Sequence, residues 1–299
     1  MSDNLRGSLF MMLAMLGFAI EDAFFKSATG SGGVSPGVGT MIFGFFGTVS
    51  FALLAHWKRE AVFRRAYIER PLLIRSGFEI LGRLFFALSL AFVPLSTTSA
   101  ILQAAPLMVT LGAVVVLKEP VGMRRWIAMI VGFLGVLLIL RPTPSGFDST
   151  VIFAVLGMIG FAGRDLMTRA SPPEVSSTQL GILGFLMVFI AGCVITIFET
   201  PTLAAPTPTA FALIMGTAVS GVFAYSALTK AMRTGEVSVV APFRYSRLLI
   251  ALAIAFIIFG ERPDALTLVG ASLIVGSGTY TLIRGARKDG AGSVRQTGV

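Results

Sequence analysis

The chain has 299 residues, of which 55% are hydrophobic and only 13% charged, and its mean hydropathy is +0.85. A water-soluble domain carries about a quarter of its residues as charge, so this balance makes lipid the main solvent. The net charge of +9 would suit nucleic acid, but the basic residues sort loop by loop and form no single patch, which excludes that partner.

Ten apolar runs follow one another: 8–25, 37–56, 72–93, 97–117, 123–140, 151–168, 178–198, 210–228, 237–259 and 265–283. Each matches the roughly 20 residues that cross a bilayer core of about 30 Å. The first could pass for a secretory signal, but it has no small-residue cleavage site and nine runs follow it, so it counts as a span. The 15 residues of Trp57–Pro71 form the longest loop, a basic linker that serves as a topology signal and leaves no room for a catalytic domain. The segment 286–299 is basic and Gly-rich and is expected to be a disordered tail. With the N-terminus inside, 16 loop and tail Lys and Arg residues fall on the cytoplasmic side. Only Lys26, Arg141 and Arg262 fall opposite. That asymmetry predicts cytoplasmic N- and C-termini.

A pattern repeats. Gly17-Phe18-Ala19 returns 143 residues later as Gly160-Phe161-Ala162, and Asp22 returns as Asp165. Lys118-Glu119-Pro120 returns as Glu261 within Gly260-Glu261-Arg262-Pro263, 142 residues on. Two anchors at nearly one offset indicate a duplication, 1–141 and 142–285. Each half holds five spans, an odd number, so the second half enters the membrane from the other side. The predicted fold is all-α: ten transmembrane helices in two five-helix inverted-topology repeats around a central cavity. Such repeats are a device of secondary transporters that work by alternating access.

In these features the chain resembles the drug/metabolite transporter superfamily, specifically its EamA-type ten-helix members. The likeness rests on the fourth-helix endings Leu117-Lys118-Glu119 and Phe259-Gly260-Glu261. It also rests on the small-residue fifth helices, "AMIVGFLGV" from 128 and "GASLIVGSG" from 270, and on Pro106 thirteen residues before Glu119. The second half has Leu248 at that place and Pro242 six residues earlier. The resemblance implies a bacterial inner-membrane exporter of small organic solutes, similar to the aromatic amino acid exporters. Drug, cation or sugar export within the same fold stays open, as does a non-transporting membrane enzyme or assembly subunit.

Charge at mid-bilayer costs about 2.5–3.5 kcal/mol on insertion scales, so each such group needs a partner or a wet cavity. Counting about 1.5 Å per residue along each span, Glu21, Arg83 and Arg247 fall at similar depths. Arg164, Asp165 and Arg244 form a second level nearer the cytoplasm. An amino-acid zwitterion suits such a cavity, its carboxylate on an Arg and its ammonium on an acid. An ion-pair network that only holds helices together is the competing reading. Glu21 and Asp22 lie about 100° apart around a helix, so one of them faces the cavity. Glu79 is a further candidate to line the cavity; it stands one turn from both Arg75 and Arg83, so a pair within its helix is the competing reading. Arg75, three residues into its run, is expected to snorkel to the surface. Gln103 and Tyr245 fall at matching positions of spans four and nine and are candidates to line the pathway, as are Phe78 and Phe161. Pro106 and Pro242 are expected to bend their helices.

Enzyme signals fail. Gly33-Val34-Ser35-Pro36-Gly37 matches G-x-S-x-G, but the one histidine, His56, lies roughly 30 Å away along the second span. There is no phosphate-loop motif and one cysteine, Cys193, so neither ATP use, a disulfide framework nor a catalytic metal is expected, and no cofactor. A ten-span chain already holds both halves, so it is expected to work as a monomer with a small-molecule solute and the lipid bilayer as its partners. Uniport and proton return on Glu21 or Asp22 both stay open.

Overall fold

The computed structural model describes residues 2–29, 33–92, 98, 101–141, 149–199, 207–259 and 264–296. No strand occurs among the described residues. The helices are α1 (Asp3–Thr29), α2 (Pro36–Trp57), α3 (Arg70–Phe92), α4 (Ala105–Val116), α5 (Met123–Leu140) and α6 (Val151–Arg169). They continue as α7 (Ser177–Phe198), α8 (Pro208–Arg233), α9 (Val237–Val240), α10 (Ser246–Phe259) and α11 (Ala265–Gln296). Six of these, α1, α2, α5, α6, α7 and α8, are long and apolar enough to cross a membrane. Helix α11 continues through Gln296, into the segment expected to be a disordered tail. No proline interrupts its hydrogen-bond ladder there.

Local chemistry sets the helix ends. Ser35 caps α2, its Oγ accepting from Val38 N at 3.4 Å, with Pro36 in the first turn. The serine of the G-x-S-x-G match is thus a helix cap. Ser176 and Gln179 form a reciprocal capping box at the start of α7. Just past the end of α4, Lys118 is held at φ +55°, with the amide of Glu119 donating to Ala113 O at 3.1 Å. This is a left-handed C-terminal stop, and Pro120 follows it. The Lys-Glu-Pro repeat anchor therefore terminates a helix. Glu261 lies outside the described residues.

Both proline-bearing spans are interrupted. In the fourth, residues 103–104 form a turn and Pro106 opens α4. In the ninth, a 3-10 turn over Ala241–Tyr245, with Pro242 in its first turn, separates α9 from α10.

The packing is symmetric between the halves. Helix α2 packs on α7 and α5 on α11, each on its own counterpart. Helix α1 packs on α8 as α6 packs on α3; α3 touches α7 as α8 touches α2; α4 touches α6 as α10 touches α1. Exchanging the halves maps this set of contacts onto itself, as two structurally equivalent repeats require. Glycines permit the closest approaches. A Cβ on Gly135 would lie 2.6 Å from Gly270 O, and one on Gly270 would lie 2.6 Å from Gly135 O. Meanwhile Leu5, Leu9, Leu13, Leu16, Ile20 and Phe24 form an exposed apolar stripe along α1 at helical spacing, a face made for lipid.

Candidate functional site between the two halves

Helix α3 carries Arg75, Glu79 and Arg83 on successive turns of one face. Arg75 is fully buried, contrary to the expectation that it snorkels. Its Nε donates to Thr168 Oγ1 at 3.0 Å, and its guanidinium also donates to the Tyr225 hydroxyl. The helix begins at Arg70 and packs on α6, whose polar groups replace water around the charge. Glu79 has both oxygens engaged. Oε1 accepts from Arg164 at 3.1 Å and Oε2 accepts from the Tyr225 hydroxyl at 2.7 Å. Its in-helix pair with Arg75, at 3.9 Å, is the looser contact. Asp165 is saturated in the same way, accepting from Arg164 Nε at 2.9 Å and, through its other oxygen, from Arg244. The Arg164 guanidinium also sits over Phe161 at 5.2 Å and Tyr225 at 5.8 Å.

One turn further along α3 the pairing is sparse. Arg83 and Glu21 stand 3.9 Å apart. Glu21 Oε2 and Arg83 Nε are both buried without a hydrogen-bond partner. The Arg83 guanidinium lies 5.6 Å from the centre of the Phe43 ring. Beyond them Asp22 pairs with Arg247, whose guanidinium lies over Phe18 at 5.8 Å. Exposure rises along this series. The Asp165 side chain is 1% exposed, Glu21 8%, Arg83 19%, Arg247 38% and Asp22 55%. Together the layer holds five guanidinium groups and four carboxylates.

Eight of the predicted site residues therefore come together: Glu21, Asp22, Glu79, Arg83, Arg164, Asp165, Arg244 and Arg247. Phe161 flanks them, and Phe78 packs against α6 where Gly163 leaves room for its ring. Tyr245 is elsewhere. It is fully buried beside Val136 and Ile274, and its hydroxyl donates to Met129 O at 3.4 Å, in the seam between α5 and α11. Gln103 lies in the turn before α4, partly exposed. Pro106 and Pro242 stand at the helix interruptions described above. Sequence reasoning missed Tyr225 and Thr168. The available signal was a phenol within an apolar run, which needs a polar partner when buried.

At the end of the bundle that holds the start of α1, polar contacts join the halves. Arg125 pairs with Glu236 and donates to Ser238 at 2.7 Å. Asn4 accepts from the Glu236 amide at 2.8 Å, and Glu119 accepts from the Val237 amide at 3.5 Å. Lys58 donates to Thr178 at 3.0 Å, and the Ser176 hydroxyl donates to Glu60. Tyr67 reaches Gln179 O at 3.4 Å, and burial pushes its phenol up to about 12. At the other end Arg141 meets Asp264 at 2.6 Å, and the Glu199 carboxylate accepts from the Gly37 amide at 3.0 Å.

Known proteins fit this architecture. The pattern of the EamA-like transporter family matches residues 5–141 and again 148–283. The S-adenosylmethionine uptake transporter of Rickettsia bellii (strain RML369-C) is 30% identical over 207 residues, which is 68% of this chain and 69% of that protein. The riboflavin transporter of Vibrio cholerae serotype O1 is 25% identical over 276 residues, 91% of each chain. The pseudopaline exporter CntI of Pseudomonas aeruginosa (strain UCBPP-PA14) is 25% identical over 276 residues, 90% of this chain and 93% of that one. A crystal structure of another protein, 15% identical, superposes with a TM-score of 0.81 over 94% of this chain and 98% of its own, a likeness of fold alone. Twice matched along its length, and built of two halves whose contacts interchange, the chain belongs to the EamA-like transporter family.

Proposed function

We propose that the protein is a secondary transporter of amino acids or amino-acid-bearing metabolites in the bacterial inner membrane, working by alternating access between two inverted halves, 1–141 and 142–285. In this reading the chain crosses the membrane ten times with both termini cytoplasmic and functions as a monomer. The observation that carries it is the mixed layer of five arginines and four acids drawn from both halves. Both signs within lipid depth suit a solute that is itself a zwitterion. A cation carrier would favour acids alone.

Export was what the family resemblance implied. The relatives include proteins named for uptake and for export, so direction here is assigned to the solute gradient. S-adenosylmethionine is the first solute to try, because it carries an amino-acid head and names a relative at 30% identity. The test is counterflow into liposomes holding the purified protein, with the twenty amino acids, S-adenosylmethionine and riboflavin. Accumulation of labelled S-adenosylmethionine or of one or more amino acids is expected. Transport of riboflavin with no movement of any amino-acid-bearing solute would overturn the substrate class. Tags placed at 58 and 230 should report the same face of the membrane; opposite faces would overturn the topology.

A further inference from the structure

Among the central charges, one ion pair is left incomplete on both sides. Glu79 and Asp165 each have two occupied oxygens. Asp22 and Arg247 meet directly, where solvent reaches them. Glu21 and Arg83 differ from both. They are too far apart to share a hydrogen bond, at 3.9 Å, and each keeps a buried orphan: an acceptor at Glu21 Oε2 and a donor at Arg83 Nε. A buried polar atom without a partner carries its whole desolvation penalty, and folding has no reason to leave two such atoms on one pair. Arg75 Nη1 also lacks a partner, but its guanidinium is already held by Thr168 and Tyr225 and is closed to solvent.

Apolar groups flank this pair. Phe43 lies beneath the Arg83 guanidinium, and Gly221 stands against Glu21, where a Cβ would lie 3.1 Å from Oε2. Arg83 is 19% exposed and lies between the closed network and the open Asp22–Arg247 pair. Both atoms are closed to solvent as the helices now stand, so a solute coming from that open side reaches the unsatisfied acceptor and donor only as the helices part during alternating access.

Resting on the functional reading above, we infer that Glu21 and Arg83 form the subsite for an α-amino-acid head group, the solute ammonium donating to Glu21 Oε2 and its carboxylate accepting from Arg83 Nε. The head group completes what the pair lacks, and both new contacts are charge-assisted. Glu79, Asp165, Arg164 and Arg75 then serve as the fixed floor beneath it. Asp22 and Arg247 are an outer pair that the solute passes.

The test uses full-length protein in liposomes and competition against labelled S-adenosylmethionine or L-phenylalanine, whichever the wild type carries. The competitors are phenethylamine, which keeps the amine, and 3-phenylpropionate, which keeps the carboxylate. Glu21→Gln should weaken competition by phenethylamine roughly tenfold or more, with about twofold change or less for 3-phenylpropionate. Arg83→Lys, which keeps the charge and removes the Nε donor, should do the reverse. Selective loss is its own folding control, because a variant that still takes one half-head is folded. Should Glu21→Gln fail to fold, Glu21→Asp shortens the same acid and should show the same selectivity. In the wild type, each half-head should compete more weakly than phenylalanine itself. If both variants weaken both competitors equally, or the half-heads match phenylalanine, the head-group assignment falls while the transport reading stands. If the wild type carries no amino-acid-bearing solute at all, the functional reading fails and this assignment with it.

Discussion

Glu79 and Glu21 are two buried glutamates facing arginines across the same bundle, and their surroundings differ in one respect. Glu79 is saturated: Arg164 on one oxygen, a tyrosine hydroxyl on the other, Arg75 behind. Glu21 has one partner at 3.9 Å and one oxygen with none. A satisfied network rigidifies, and removing one member strands a charge. An incomplete pair has little to lose and something to gain from a ligand. On the assignment inferred above, the contrast separates a scaffold from a working site within a single charged layer.

The sharpest way to break this comparison is Glu79→Ala. It leaves Arg164 buried with half its partners gone, and breaking such a pair costs about 3–5 kcal/mol. A large drop in the thermal unfolding midpoint in detergent is expected, against a small one for Glu21→Gln. Equal drops would erase the distinction. A packing counterpart comes next. Gly160→Leu places a Cβ 2.4 Å from Gly82 N where α3 and α6 cross, and overpacking there should cost about 1–3 kcal/mol by the same measurement. Tyr225→Phe removes one hydroxyl that serves Glu79 and Arg75 together. It should cost about 1–3 kcal/mol and leave solute selectivity unchanged.

The smallest effect belongs to an exposed pair at the end of the bundle. Hydrogen bonds from Arg141 and Thr267 hold the Asp264 carboxyl below the usual aspartate range. A depressed acid contributes stability that is present above its unfolded value, near 3.8, and is lost as pH falls toward the folded one. Asp264→Asn should therefore lower the unfolding midpoint by a small, constant amount between pH 5 and 8, since an exposed pair is worth little, and the difference from the wild type should vanish as pH falls below about 4. A clear loss at neutral pH would show that this pair acts as more than a surface contact.

Much of the architecture was legible without coordinates. Long apolar runs mark helices because in lipid a helix satisfies all its backbone groups within one segment. The two anchors at one offset revealed the duplication, and the family match over residues 5–141 and 148–283 bears out that resemblance. The candidate charges were legible because charge within an apolar run has few structural excuses. Arg75 was misread because distance from the end of a run says nothing of what packs across from it. Tyr245 drew notice by its alignment with Gln103, yet the fold buries it between α5 and α11. Thr168 and Tyr225 drew no notice, since neither carries charge.

By itself, then, the chain's order of residues determined a lipid-embedded helical bundle, a doubled plan and a set of charges that must meet indoors. These follow from solvation, which acts residue by residue. Which acid found two donors and which found none was decided only when helices far apart in sequence packed together. Hydrogen bonding depends on angstroms across an interface, and no spacing along one strand of text encodes that.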